Sequence, residues 1–234
     1  MPELIKRFAK NTAGQDFAVG DIHGCFTKLQ QALDGIGFDP AVDRLFSVGD
    51  LVDRGDESEQ ATEWMALPWF HAVRGNHEQM TIDSHFLGAT DLHFINGGQW
   101  FYCLQSDERG EIAAELSQLP LVIEVETAGG VVGLVHADCP RRDWKDLIST
   151  LEAGGPEAEH VGAMCQWSRK RITDRDDSFV SNVRAVVVGH TPLNAPVLLG
   201  NVYHIDTAGW HPSGRFTILE LSTLAIVAGL TVKE

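Results

Sequence analysis

The sequence predicts a layered α/β fold, on three observations. Short apolar runs alternate with helical patterns through the first half of the chain. The second half is richer in strand patterns, and glycine-containing turns separate some of them. Five of the apolar runs are followed directly by an aspartate, asparagine or histidine, with glycine before four of those sites.

In chain order, Phe17–Val19, Leu45–Val48 and Phe70–Val73 are expected as short buried strands. Phe26, Leu29, Leu33 and Ile36 form an apolar stripe at helical spacing, with Lys28, Gln31 and Asp34 on the opposite face. Glu57–Leu67 and Glu78–Leu87 are further helix candidates. Leu121–Thr127 and Val131–Val135 flank Ala128-Gly129-Gly130, a turn signal. Strands are then expected over Ala185–Val188, Val197–Leu199, Val202–Ile205, Phe216–Leu221 and Ala225–Leu230, with Gly200-Asn201 as a hairpin turn. Pro140–Arg184 has weak periodicity and many charges, and reads as helices and loops forming a cap or lid over a site. Residues 1–234 are read as one domain.

The 234 residues are 44% hydrophobic, enough for a sizeable core. No apolar run is long enough for a signal peptide or a membrane span, so the expected location is cytoplasmic, with no membrane partner. A formal net charge of −15 disfavours non-specific nucleic-acid binding. Cys25, Cys103, Cys139 and Cys165 are scattered, which argues against a zinc ribbon and for free, mostly buried thiols.

The chemistry lies after the apolar runs. Phe17–Val19 leads to Asp21 and His23, and Leu45–Val48 leads to Asp50. Phe70–Val73 leads to Asn76 and His77, Val131–Val135 to His136, and Ala185–Val188 to His190. Layered α/β folds bind ligands at the carboxyl ends of strands, so these residues can meet in one cleft. Asp and neutral His ligate divalent transition metals, and a carboxylate can bridge two ions. An Asn ligates through its amide oxygen and keeps its NH2 to donate. Singly, each residue has a plainer explanation: an Asp after a strand caps a helix, and a His satisfies a core edge. Five coincidences together outweigh those explanations. His71, His85, His93, His160, His204 and His211 lack such company and are read as ordinary polar residues.

At these residues the chain resembles a known family. Gly20-Asp21-Ile22-His23-Gly24, Gly49-Asp50-Leu51-Val52-Asp53-Arg54-Gly55 and Gly75-Asn76-His77-Glu78 are similar to the three signatures of the PPP serine/threonine phosphatases, within the calcineurin-like metallophosphoesterases. His136-Ala137-Asp138 and Gly189-His190-Thr191 match its two later histidines. Pro68-Trp69-Phe70, Gly97-Gly98, Trp167-Ser168-Arg169 and Ile205-Asp206-Thr207 narrow the likeness to the branch of the bacteriophage lambda phosphatase and its bacterial relatives. Thr207-Ala208-Gly209 departs from that branch, which tends to have Thr-Gly-Ala there.

The resemblance implies a four-layer α/β/β/α sandwich, two mixed sheets flanked by helices. It implies one metal held by Asp21, His23 and Asp50, and a second held by Asp50, Asn76, His136 and His190. Manganese is the usual ion of these relatives; iron, zinc, nickel and cobalt also suit the donors. Arg54 and Arg169 would hold phosphate oxygens, as a planar guanidinium does well. His77, oriented by Asp53, would protonate the leaving group.

The implied reaction is in-line attack of a metal-bridging hydroxide on a phosphate monoester. The expected substrate is a phosphoprotein or phosphopeptide, and inorganic phosphate is the product. One rival reading is a symmetrical dinucleoside-tetraphosphate hydrolase. That group typically has Gln at the position of His23 and lacks the Asp53-Arg54 pair. The other rival, a non-catalytic scaffold, should have lost ligands, and this chain retains all six.

Overall fold

A computed structural model describes residues 3–229. Eleven strands among those residues form two mixed sheets. They are β1 (Ile5–Phe8), β2 (Asp16–Val19), β3 (Arg44–Ser47), β4 (Phe70–Ala72), β5 (Val122–Thr127), β6 (Gly130–Val135), β7 (Ala185–Val188), β8 (Val197–Leu199), β9 (Val202–His204), β10 (Ile218–Glu220) and β11 (Ala225–Ala228). One sheet has the order β1-β5-β6-β7-β9-β8 and the other β11-β10-β2-β3-β4. In the second, β2, β3 and β4 run parallel. In the first, β6, β7 and β9 run parallel.

The helices are α1 (Phe26–Ile36), α2 (Ala61–Met65), α3 (Asn76–Phe86), α4 (Thr90–Ile95), α5 (Gln99–Cys103), α6 (Ser106–Leu116), α7 (Trp144–Ala153), α8 (Gly155–Trp167) and α9 (Lys170–Asp174).

Alternation along the strands builds the layers. In β7, Val186 and Val188 face one core with Trp144, Leu147, Leu151, Val161 and Cys165 of α7 and α8. Ala185 and Val187 face the opposite way, into a core shared with Ala18, Phe46, Val132, Leu134 and Leu219 of both sheets. In β2, Phe17 and Val19 turn outward, against Phe26, Leu29 and Leu33 of α1 and Leu116 of α6. The result is four layers, helices–sheet–sheet–helices, as the family resemblance implies.

Each strand expected from the sequence is present, several shifted by a residue or two at an end. The Ala128-Gly129-Gly130 and Gly200-Asn201 turns join antiparallel pairs, with Gly130 and Gly200 at positive φ. The expected strand Ala225–Leu230 ends at Ala228, and Leu230 lies outside the described residues. The expected helix 57–67 contracts to a 3-10 turn, Ser58–Gln60, followed by α2. The helix expected from Glu78 begins two residues earlier, at Asn76.

Strand β1 and helices α4, α5 and α6 had no counterpart in the sequence reading. Their apolar residues are too few or too irregular to make a period. Helices α7 and α8 lie in the segment 140–184, read above as a cap. They form the outer helix layer of the six-stranded sheet instead, because Trp144, Leu147, Ile148 and Leu151 make a stripe that packs on its strands. Two of the four cysteines, Cys139 and Cys165, are buried, Cys25 is half-buried and Cys103 is exposed. No helix among the described residues is long and apolar enough to cross a membrane.

Candidate dinuclear metal centre

The strand topology gathers the six expected ligands. Asp21 and His23 follow β2, Asp50 follows β3 and Asn76 follows β4, all in one sheet. His136 and His190 follow β6 and β7 of the other sheet. All six side chains are buried.

Their donor atoms form two groups that share Asp50. His136 Nε2 lies 2.9 Å from Asn76 Oδ1, 3.2 Å from His190 Nδ1 and 3.4 Å from Asp50 Oδ1. His190 Nδ1 lies 2.8 Å from Asn76 Oδ1. On the other side, His23 Nε2 lies 3.6 Å from Asp50 Oδ2 and 4.0 Å from Asp21 Oδ2. Two atoms each about 2.1 Å from one ion lie about 3.0–3.4 Å apart at octahedral or tetrahedral angles. The His136 group already has that spacing.

Hydrogen bonds fix which nitrogens are free to ligate. His136 Nδ1 donates to the Val48 carbonyl at 2.7 Å, and His23 Nδ1 donates to the Val52 carbonyl at 2.9 Å. Each Nε2 therefore presents its lone pair inward. Lone pairs of imidazole, amide and carboxylate face one another, and a shared cation is what satisfies such a set.

The electrostatics agree. Burial, then the charges of Asp206 and Asp50, push the Asp21 carboxyl well above the ordinary range. Burial also raises Asp206, to about 6. So many carboxylates cannot share a dry site fully ionised without added positive charge. Burial opposes ionisation of Asp50 too, but the neighbouring His136, His77 and His23 hold it well below the ordinary range. Burial lowers His23 far down and His190 to about 3, keeping both neutral, as ligation requires. The residues therefore fit a pair of divalent ions: two candidate ligand groups share Asp50, one with His136 and His190 and the other with His23, where the third close donor is His77 Nε2, 3.9 Å from Asp50 Oδ2, rather than the expected Asp21.

The backbone is bent to make this site. His23, Asp50, Asp53, Arg54 and His190 all have positive φ, from +46° to +72°. Non-glycine residues pay for that conformation, and it clusters at functional sites. Hydrogen bonds hold it: His23 N–H and Gly24 N–H donate to the Asp50 and Leu51 carbonyls. Two glycines serve close approach. A Cβ on Gly75 would meet Asp50 Oδ1 at 2.2 Å, and one on Gly189 would meet Asp21 Oδ1 at 2.1 Å.

Around the ligands, His77 Nδ1 donates to Asp53 Oδ2 at 2.7 Å. The Arg54 guanidinium donates to Nε2 of both His23 (2.8 Å) and His77 (3.1 Å), and stacks 4.6 Å from the Trp210 ring centroid. Arg169 caps α9 and is exposed, near enough for its charge to act on His190.

Several residues here have no role assigned by the sequence, although Glu78 and Asp206 lie within its family motifs. Glu78 accepts from the backbone N–H groups of Asp50, Leu51, Val52 and Gly75, bracing the strand-end loops. Asp206 and Trp210 border the candidate ligands Asp21 and His23. His93 was set aside as an ordinary polar residue. It is fully buried and donates to Asp53 Oδ1 at 3.0 Å. Only tertiary contact distinguishes it, since no motif surrounds it in sequence.

Residues 17–194 match the calcineurin-like phosphoesterase family. The chain is 33% identical over 210 residues to serine/threonine-protein phosphatase 1 of Salmonella typhimurium, covering 88% of this chain and 91% of that protein. It is 36% identical over 211 residues to serine/threonine-protein phosphatase 2 of Escherichia coli, with 88% and 92% covered. A symmetrical bis(5'-nucleosyl)-tetraphosphatase of Pseudomonas putida is 45% identical, but over 155 residues that cover only 48% of it. Among solved structures, a serine/threonine phosphatase from Saccharomyces cerevisiae superposes with a TM-score of 0.65 at 16% identity, over 93% of this chain and 77% of that one. The chain therefore belongs to the calcineurin-like phosphoesterases, in the PPP branch that includes these bacterial serine/threonine-protein phosphatases.

Proposed function

We propose that this protein is a metal-dependent phosphoprotein phosphatase acting on phosphoserine and phosphothreonine monoesters. The observation that carries the reading is the position of Asp50. Its Oδ1 faces His136 and its Oδ2 faces His23, 3.4 and 3.6 Å away, so one carboxylate serves both ligand groups. Near-full-length likeness to bacterial phosphatases supports the phosphoprotein class. The likeness to tetraphosphatases is partial, and His23 and the Asp53-Arg54 pair also argue against that activity.

In this reading Asp21, His23 and Asp50 hold one ion, and Asp50, Asn76, His136 and His190 hold the other. Manganese is the proposed ion. Bound there, the pair would supply Lewis-acid charge to a phosphoryl group and activate water near neutral pH. The remaining chemistry falls to the side chains. For His23 Nε2 to ligate, Arg54 must give up the hydrogen bond it donates there, which frees its guanidinium to grip a phosphate oxygen. Arg169 approaches from the His190 side and binds a second oxygen. Arg54 must also leave His77 Nε2, which accepts from it at 3.1 Å in this structure. His77, carrying a proton on each nitrogen and held by Asp53 through Nδ1, would then give the Nε2 proton to the leaving group.

The test is the leaving-group dependence of His77→Asn. It should keep both metals yet lose roughly 10²–10⁴-fold in kcat/KM on a phosphoserine peptide, the usual worth of a general acid. The loss on p-nitrophenyl phosphate should be smaller, because nitrophenolate leaves without a proton. Equal losses on the two substrates would remove His77 from the acid role. A wild-type protein that hydrolyses dinucleoside tetraphosphates but no phosphopeptide would overturn the substrate assignment.

A further inference from the structure

The Asp53 carboxylate is completely buried and has two sides with different duties. Oδ2 accepts from His77 Nδ1 at 2.7 Å. Oδ1 points away from the reaction and accepts from His93 Nε2 at 3.0 Å and from Trp100 Nε1 at 2.7 Å. An ionised carboxylate only accepts, and an indole N–H only donates, so the direction of these bonds is fixed. With His77 alone, the carboxylate could rotate and exchange its oxygens. Two donors on the far oxygen set its plane.

His93 is itself held on several sides. Its Nε2 is also 3.1 Å from Thr81 Oγ1, and its Nδ1 is 3.2 Å from the Tyr102 hydroxyl. Thr81 Oγ1 donates to the His77 carbonyl at 3.0 Å, which ties the helix turn carrying His77 to the same imidazole. The Gly97-Gly98 pair lets this arrangement close. A Cβ on Gly98 would strike the His93 ring at 2.3 Å. Gly97, at φ +107°, passes so near Arg54 that a Cβ would lie 2.8 Å from the Arg54 nitrogen, while its carbonyl accepts that N–H at 3.3 Å. One dipeptide between α4 and α5 thus backs both members of the Asp53-Arg54 pair.

We propose that His93 and Trp100 are positioning residues for proton donation, acting through Asp53 on His77, with Gly98 as the contact that seats His93. The proposal rests on the phosphatase reading above and on His77 as the acid. Removing either donor frees Asp53 to turn, so the imidazole spends less time aimed at the leaving group. Binding of phosphate and of metal does not pass through these residues.

The experiment compares wild type, His93→Phe, His93→Gln and Trp100→Phe, each alone and combined with His77→Asn. All are assayed with a phosphoserine peptide and with p-nitrophenyl phosphate, at saturating Mn²⁺ with metal content measured. His93→Phe keeps a ring but no donor; His93→Gln keeps an N–H at the same reach. His93→Phe and Trp100→Phe should lower kcat on the phosphopeptide roughly 10–100-fold, the usual cost of losing an orienting partner. KM and metal content should hold, and p-nitrophenyl phosphate should suffer much less. His93→Gln should recover most of the rate. In the His77→Asn background the same substitutions should cost almost nothing further, because residues acting through one group are not additive.

Losses equal on the two substrates, or losses that persist in the His77→Asn background, would overturn the proposal and leave a merely structural role. If His77→Asn itself shows no leaving-group bias, the acid assignment fails and this inference falls with it. If His77→Asn shows the bias and the His93 and Trp100 variants do not, this inference fails alone. Trp100 is only half-buried, so Trp100→Phe decides the question should His93→Phe not fold.

Discussion

Ala208 adopts φ +52°, in the left-handed region. The sequence departs here from the related branch, with Thr207-Ala208-Gly209 in place of Thr-Gly-Ala. The backbone accordingly asks Ala208 for a conformation that glycine takes without strain. Left-handed backbone costs an L-residue about 1–2 kcal/mol, partly offset by the ~0.5–1 kcal/mol of extra chain entropy that a glycine loses on folding. Ala208→Gly should therefore stabilise the protein by about 0.5–1 kcal/mol in urea denaturation. Gly209 is constrained differently, because a Cβ there would meet the Phe216 ring at 2.1 Å. Gly209→Ala should destabilise by about 1–3 kcal/mol, as overpacking does. A higher urea midpoint for Gly209→Ala than for wild type would mean that Phe216 has room to move.

Between elements, packing depends on a few close approaches of the same kind. Helix α7 lies against β6 because the Trp144 ring rests on Gly133, where a Cβ would sit 2.2 Å from the ring. Trp144 is fully buried, and its indole N–H donates to Glu124 of β5 at 2.7 Å, so the ring cannot slide without losing a hydrogen bond. Gly133→Ala should push α7 off the sheet and cost about 1–3 kcal/mol in chemical denaturation. Three residues on from Gly133, just past the end of the strand, stands His136. Turnover per folded molecule should nevertheless change little, because the Val48 carbonyl and not α7 orients the His136 ring. Loss of metal content in Gly133→Ala would show that the helix layer and the ligand share one rigid unit.

At the scale of the whole molecule, the candidate centre draws its residues from two sheets. Asp21, His23, Asp50 and Asn76 come from one sheet, and His136 and His190 from the other. A ligand that binds only the folded state stabilises it in proportion to the logarithm of its concentration. Removing divalent metal with a chelator should abolish turnover and lower the unfolding midpoint. Restoring Mn²⁺ at 100 times its dissociation constant should return about 2.7 kcal/mol for each independent site. Asp50→Asn, which removes a charge from both groups, should bind less metal by elemental analysis and lose most of that dependence. An unfolding curve indifferent to chelator, in protein shown to be metal-free, would contradict a centre that cross-links the sheets.

The amino-acid sequence by itself determined the layered class, nearly all of the strands and the six clustered donors. Those features are written locally: an apolar run, a glycine and a polar residue with the right lone pairs. The family likeness of their motifs also implied the pairing of Asp53 with His77. Only the tertiary structure decided which residues support that site. Glu78 reaches four backbone N–H groups, Asp206 presses on Asp21, and Trp210 lies under Arg54. His93 has no neighbour in sequence to mark it, and the charged, weakly periodic segment holding α7 and α8 gives no local sign that its apolar stripe packs on a sheet. The physical reason is the same in each case. A metal ligand is defined by its own side chain and its place after a strand. A supporting residue is defined by what it touches, often far along the chain, as His93 touches Asp53 across 40 positions, and the sequence carries no local record of that contact.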